Sequence, residues 1–179
     1  MPFQVVIQSW HDFYVVAGTA AATLIGLLFV GLSLHLRAVL SRSEVRSLAR
    51  VTLANFGLGL VVSLFMVSPH KEASDLSLQL IVSGAVSLGL IAPSIVVAVR
   101  SHTRTLQPYR LVMRFGLSAF SYAGVIVSGA LLAQGSDDAA LSWLVAITVV
   151  LLVVSLRNSW DLLVSVGAAT LSGHEREQD

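Results

Sequence analysis

The side chains that could do chemistry within the apolar parts of this chain are mainly one amide and several hydroxyls. Asn55 is the most polar of them, and Thr52, three residues earlier, shares its helix face. Ser83, Ser87 and Ser118 add hydroxyl groups in the next two apolar stretches. Such groups either bond between helices, for about 1 kcal/mol each or less, or line a polar path for ions or small solutes. Both interpretations are open from the sequence.

The apolar stretches contain no Asp, Glu, Lys or Arg, and the whole chain contains no Cys. Ionisable residues at membrane depth are costly to keep there, and they mark proton relays and ion sites in membrane proteins. Without Cys, disulfides and thiolate metal sites are excluded. His35 stands alone near one end of a stretch, which favours a capping role over a metal site. We therefore predict no catalytic, metal or cofactor site, and a protein that is not an enzyme.

Arginines recur at helical spacing where two of the stretches begin. Arg42, Arg46 and Arg50 form one stripe at i, i+4 and i+8, and Arg110 and Arg114 form a shorter one. Basic residues beside a membrane attract anionic lipid headgroups by about 1 kcal/mol each. The same arginines would also set the orientation of the protein without binding a specific lipid. Both interpretations make membrane lipids the expected partner, and nothing in the pattern predicts a nucleic acid.

A polar cluster follows the last apolar stretch. Arg157 and Asp161 are four residues apart, so they can pair on one helix face, and Trp160 lies beside them. We predict that these three residues form a structural clamp, although Asp161 could equally reach Arg50 or Arg114 on neighbouring helices. A catalytic role would require a nucleophile or a metal ligand that this neighbourhood lacks.

All of these residues must be positioned by helices that cross a bilayer. A helix needs about 20 apolar residues to cross a hydrocarbon core about 30 Å thick. In this chain of 179 residues, 55% hydrophobic and 12% charged, five uncharged stretches come close to that length or exceed it: 13–36, 51–69, 76–99, 115–135 and 139–156. The sequence predicts an all-α, multi-pass transmembrane helix bundle with five spans, in which residues 1–173 form one domain and 174–179 a charged tail.

Basic residues are distributed unevenly among the connections. Ten of the eleven Lys and Arg residues lie in segments 37–50 and 100–114 or near the C-terminus, and Lys71 is the exception. Because positive loops stay in the cytoplasm, we predict an external N-terminus and a cytoplasmic C-terminus. Residues 158–172 are partly apolar, and we expect them to continue the fifth helix along the inner surface.

Capping signals mark the start of the first and the last span. Ser9 and Asp12 have the spacing of a capping box, which predicts that the first long helix begins just after Ser9. The segment before it is typical of a short interfacial helix with Trp10 at the headgroup level. Asp137 and Asp138 suit the positive end of the fifth helix.

Small residues recur every four or eight positions on three of the predicted helices. Because lipid provides no hydrophobic drive for helix association, close approach over small residues is the usual means of packing. These faces predict either packing inside one bundle or a homo-oligomer seam: Gly18, Ala22 and Gly26; Ala85, Gly89 and Pro93; Gly116, Gly124 and Ser128.

Both ends of the chain resemble those of a group of small, multi-pass bacterial inner-membrane proteins with about five helices. The resemblance rests on Trp10-His11-Asp12-Phe13, then Ala20-Ala21-Ala22 and Gly26-Leu27-Leu28-Phe29-Val30, and on the closing Arg157-Asn158-Ser159-Trp160-Asp161-Leu162-Leu163, which is the more specific motif. It implies a location in the bacterial inner membrane and a helical architecture, and it implies no activity.

Two functions fit these observations. The first is a membrane protein without catalytic machinery that acts through contacts between helices, with a partner or with anionic lipid. The alternative is a small oligomeric channel or transporter, in which the amide and hydroxyls described above would line the path. Ion flux in reconstituted vesicles would separate the two hypotheses.

Overall fold

The computed structural model describes residues 3–41, 43–69, 72–101 and 116–175, and this part of the chain is helical without any strand. The helices are α1 (Phe3–Ser9), α2 (His11–Leu34), α3 (Leu36–Ser41), α4 (Ser43–Val67), α5 (Ala73–Ser101), α6 (Leu117–Ala133) and α7 (Asp137–Glu175).

Four of these helices contain segments long and apolar enough to cross a membrane: His11–Leu34, Val45–Val67, Ala73–Pro93 and Asp137–Gly167. The helix α6 is apolar but has only 17 residues, and residue 115, where the predicted fourth span begins, lies outside the described residues. The all-α fold is therefore confirmed for the described residues, with four helices able to cross a membrane, whereas a fifth crossing and the orientation remain predictions.

The helix α4 is at the centre of the bundle, because it packs against α2, α5 and α7. The helix α6 packs against α5 and α7. The helices α4 and α6 therefore lie diagonally opposite each other in a group of four helices with α5 and α7, and α2 packs against α4. Leu58, Leu80, Val125 and Leu144 bring one buried side chain from each of these four helices into the main apolar core.

The outward faces of the helices are apolar as well. Leu27, Leu78, Phe120 and Val153 lie on four different helices and are each more than half exposed. A soluble protein would rarely leave such a surface open, but a bilayer solvates it. The exposed faces thus support the membrane assignment independently of helix length.

The closest helix contact joins α5 and α6. A Cβ atom added at Gly129 would lie 2.9 Å from the carbonyl oxygen of Ser77, and one at Gly84 would lie 2.6 Å from Cγ1 of Ile126. The Ser77 hydroxyl donates a hydrogen bond of 2.8 Å to the Gly129 carbonyl. Small residues therefore let the two backbones approach closely, as expected in lipid.

The predicted small-residue faces pack inside the bundle only in part. A Cβ atom at Gly18 would lie 2.9 Å from the Cβ of Ser63, and one at Gly124 would lie 2.6 Å from the Cδ1 of Ile147. Ser128 is also buried. The remaining members are exposed, which corrects the internal-packing expectation for them: Ala22, Gly26, Ala85, Gly89, Pro93 and Gly116.

The predicted capping box at Ser9 is wrong. The Ser9 hydroxyl donates to the Val6 carbonyl at 2.7 Å, and α2 begins after Trp10 without a side-chain cap. The cause is α1, which leads almost directly into α2, so that the Trp10 N–H already bonds to the Ile7 carbonyl. Val6, Ile7 and Trp10 also pack against the main core.

The helix α6 ends in a turn that requires glycine. Gly135 has φ +78°, and its N–H bonds to the Leu132 carbonyl while the Ser136 N–H bonds to that of Leu131. This pair of bonds is the Schellman motif, which satisfies carbonyls at a helix end. The next helix, α7, starts at Asp137, with Asp138 also in its first turn, as predicted.

The helix α7 has 39 residues, which corresponds to about 58 Å at 1.5 Å per residue. Beyond the predicted span it continues as the same helix rather than turning onto the membrane surface. Leu162 and Val166 join Leu28, Val45 and Leu48 in a second apolar cluster. The extension therefore packs on the beginning of α4 and the end of α2.

Candidate functional site

The main polar cluster in the interior is centred on Asn55. Its Nδ2 donates a hydrogen bond of 2.9 Å to the Ser118 hydroxyl, and its Oδ1 accepts one of 2.6 Å from the Tyr122 hydroxyl. All three side chains are fully buried. The interhelical hydrogen bond expected for Asn55 is therefore present, with both ends of the amide used.

Helix geometry explains why these three side chains meet. Ser118 and Tyr122 are four residues apart and so lie on one face of α6, opposite Asn55 on the diagonal helix α4. The side chains of Asn55 and Tyr122 meet across this diagonal through their hydrogen bond. Tyr122 was not among the residues predicted from the sequence, although its i+4 spacing from Ser118 places the two hydroxyls on one helix face.

The remaining hydroxyls of the predicted polar path lie elsewhere. Thr52 is buried next to Asn55 on α4, but its hydroxyl donates to the Leu48 carbonyl at 2.8 Å. Ser83 donates to the Leu80 carbonyl at 3.0 Å, and with Ser87 it lines a groove between α4 and α5. The structure thus divides the predicted set between an interior cluster and this groove.

Three further buried polar atoms have no hydrogen-bond partner among the described residues: the Tyr14 hydroxyl, Oδ1 of Asp137 and Nδ2 of Asn158. Thr148 lies beside the Tyr14 hydroxyl and donates its own hydroxyl hydrogen to the Leu144 carbonyl. Asn158 is 3% exposed. These atoms therefore lie outside the hydrogen-bonded Asn55 cluster.

The described residues contain no group of three His, Asp or Glu side chains that could hold a metal ion. His35 ends α2, and its Nδ1 lies 3.2 Å from the Gly31 carbonyl oxygen. His11 and Asp12 form an exposed pair, with Nδ1 and Oδ1 3.4 Å apart. These contacts are local to one helix, in keeping with a capping role for His35.

The two ends of the bundle differ in charge: most of the described acids lie at one end, while exposed arginines lie at the other end together with Asp161. Arg46 and Arg50 lie in the first turns of α4, and the second apolar cluster brings them to the same end as Arg157. We call this the basic end. The described acids at the other end, the acidic end, lie before or in the first turns of helices: Asp12, Glu72, Asp75, Asp137 and Asp138.

The predicted lipid-binding arginines are described only in part. Arg46 and Arg50 are exposed, and no ion pair joins either of them to an acid within the described residues. Arg42, Arg110 and Arg114 lie outside those residues. The two described arginines therefore present uncompensated positive charge at the basic end.

The predicted clamp between Arg157 and Asp161 is not formed as an ion pair in the part of the chain that the structure describes. Both side chains are exposed, and Trp160 is 69% exposed. Trp143, near the other end of α7, is 57% exposed, and the 17-residue step from Trp143 to Trp160 corresponds to about 26 Å along the helix. This separation approaches the thickness of a hydrocarbon core, about 30 Å, so both tryptophans suit the membrane interfaces.

Comparisons with protein families, curated proteins and solved structures found no match. The function is therefore argued from the geometry of this chain alone.

Proposed function

We propose that this protein is a non-enzymatic, multi-pass protein of the bacterial inner membrane whose basic end faces the cytoplasm and binds anionic lipid headgroups. Five membrane-spanning helices, including α6, form its body. The observation that carries the proposal is the uneven distribution of charge, with exposed arginines and Asp161 at one end of an apolar bundle and five carboxylates at the other.

Arg46 and Arg50 form no ion pair within the part of the chain that the structure describes. Arg46 and Arg50 are exposed beside the apolar part of α4, where each would gain about 1 kcal/mol from an anionic membrane surface. Placing this end in the cytoplasm also satisfies the positive-inside rule. One orientation thus accounts for both the topology and the lipid contact.

Contacts with protein form the second part of the proposal. Ala22 and Gly26 leave an exposed strip of small residues on α2, and a Cβ atom at Gly26 would meet nothing within 4 Å. A helix of a second copy or of another membrane protein could approach closely there. The Asn55 cluster supplies internal cohesion on this view, rather than a path for solutes.

The test replaces charge at the basic end and compares lipid preference. The double variant Arg46→Gln/Arg50→Gln should bind an anionic phospholipid, relative to a zwitterionic one, about thirtyfold more weakly than the wild-type protein does. This factor corresponds to about 1 kcal/mol for each of the two arginines. The matched control, Asp75→Asn with Asp138→Asn, removes two charges at the acidic end and should leave that preference unchanged. Lipid binding can be followed by native mass spectrometry of the detergent-solubilised protein.

Equal preference for the two lipids in the wild-type protein would overturn the proposal. So would ion or solute flux through vesicles carrying the protein, if Asn55→Leu abolished it, because the interior cluster would then belong to a transport path.

A further inference from the structure

The helices α4 and α5 separate along one side of the bundle and leave a groove of about 830 Å³. This volume lies within the range of about 300 to 1,000 Å³ that is usual for small-molecule sites. The outer wall of the groove is formed by Leu78, Val82, Val86 and Leu90, spaced four residues apart on α5 and each at least half exposed. In a membrane this wall faces lipid, so the groove opens toward the bilayer.

Ala54 and Gly57 of α4 also line the groove. A Cβ atom added at Gly57 would meet nothing within 4 Å, so the groove has open space beside this residue. The walls are almost entirely apolar. The Ser83 hydroxyl, which is one of the few polar groups there, is bonded to the Leu80 carbonyl. A slender apolar ligand fits such a surface better than a polar, hydrated ligand does.

One charged residue lies at an end of this groove. Arg50 is the first of the lining residues on α4, and Phe65 is the last. The fifteen-residue step between them corresponds to about 22 Å along the helix. A lipid acyl chain in one leaflet covers half of the hydrocarbon core, or about 15 Å. A headgroup at Arg50 would therefore allow its chain to extend along the groove beyond Gly57.

We propose that the groove between α4 and α5 binds one acyl chain of an anionic phospholipid whose net negative headgroup pairs with Arg50. This inference rests on the proposed function, because it takes the basic end to be at a membrane surface. The charge of Arg50 selects this occupant over a second copy of the chain. Copies inserted in the same orientation would bring their own arginines to the level of Arg50, where like charges repel.

The experiment uses the full chain reconstituted with an anionic phospholipid that carries a photoreactive group midway along one acyl chain. Adducts are mapped by mass spectrometry after irradiation. In the wild-type protein they should lie on the α4 and α5 residues of the groove, and excess unlabelled anionic lipid should suppress them. The suppression requires no variant, so it tests the site even if a variant fails to fold.

Gly57→Leu should fill the groove and lower the adduct yield at least fivefold. Gly89→Leu is the matched control, because Gly89 lies on α5 in equally open space but does not line the groove. Its yield should equal that of the wild type. Arg50→Gln should lower the yield with the anionic lipid by about fivefold, the effect of one basic residue, and leave that with a zwitterionic lipid unchanged.

The outcomes separate the two proposals. If Gly57→Leu and Gly89→Leu give equal yields while the wild type still prefers anionic lipid, the groove assignment is overturned and the proposed function stands. If anionic and zwitterionic lipids label the wild type equally, the function and the role of Arg50 both fail. Because the chain has no Cys, a single cysteine at Val61 offers a further test. Disulfide cross-linking of two copies there would place a second chain in the groove and overturn the lipid assignment.

Discussion

Replacing Gly129 by alanine would place a methyl group between α5 and α6 where their backbones are closest. The new Cβ would lie 2.9 Å from the Ser77 carbonyl oxygen and 2.9 Å from Cγ1 of Ile81. Because one of these atoms belongs to the backbone, a rotamer change cannot relieve the contact. The helices would have to separate by several tenths of an ångström, which would also lengthen the hydrogen bond of 2.8 Å between Ser77 and Gly129.

The expected magnitude combines three effects. Overpacking costs about 1 to 3 kcal/mol, and weakening an interhelical hydrogen bond costs about 0.6 kcal/mol. Alanine regains about 1 kcal/mol over glycine within a helix. Gly129→Ala should therefore lower the free energy of unfolding by about 0.6 to 2.6 kcal/mol, or the midpoint of thermal unfolding by about 1 to 10 °C.

The assay is thermal unfolding of the detergent-solubilised protein, followed by circular dichroism. Gly89→Ala is the matched control, because a Cβ atom there would meet nothing within 4 Å. It should leave the midpoint unchanged or raise it by up to about 4 °C, since only the helix-propensity gain remains. If the midpoints of the two variants shift equally, the contact between α5 and α6 at Gly129 does not exist and the packing argument is refuted.

Three further predictions follow from the interior cluster, the turn after α6 and the charge distribution. Asn55→Leu and Tyr122→Phe should each destabilise the protein, and a double-mutant cycle in thermal unfolding should give a coupling of about 0.6 to 1.7 kcal/mol; additive effects would mean that the bond of 2.6 Å contributes nothing. Gly135→Ala should lower the free energy of unfolding by about 1 to 2 kcal/mol, because Gly135 has a positive φ. Gly135→Asn should lower it by less in the same assay, and equal losses would contradict the backbone explanation. A cysteine at Ser136 should react with an impermeant thiol reagent outside the cell and one at Ser101 should not, and the reverse pattern would exclude the proposed orientation.

The sequence by itself determined the helical class of this protein and several of its helix ends. Uncharged runs of nearly 20 residues or more have one stable state in lipid, because only a helix satisfies every backbone group within its own segment. The predicted end of the second stretch at residue 69 and the acids predicted at the start of the fifth helix therefore agree with α4 ending at Val67 and α7 starting at Asp137. These features depend on local composition and need no knowledge of which helices touch.

Only the tertiary structure decided how the faces of the helices are used. A repeat of small residues can face either a neighbouring helix or lipid. In this protein the packing of α2 on α4 buried Gly18 and left Gly26 exposed. In the same way, the diagonal placement of α4 and α6 joined Asn55 to Tyr122. Periodicity gives the direction of a side chain around its own helix, but the partner it meets depends on the separation and rotation of other helices. The groove beside Arg50 likewise exists only because α4 and α5 separate there.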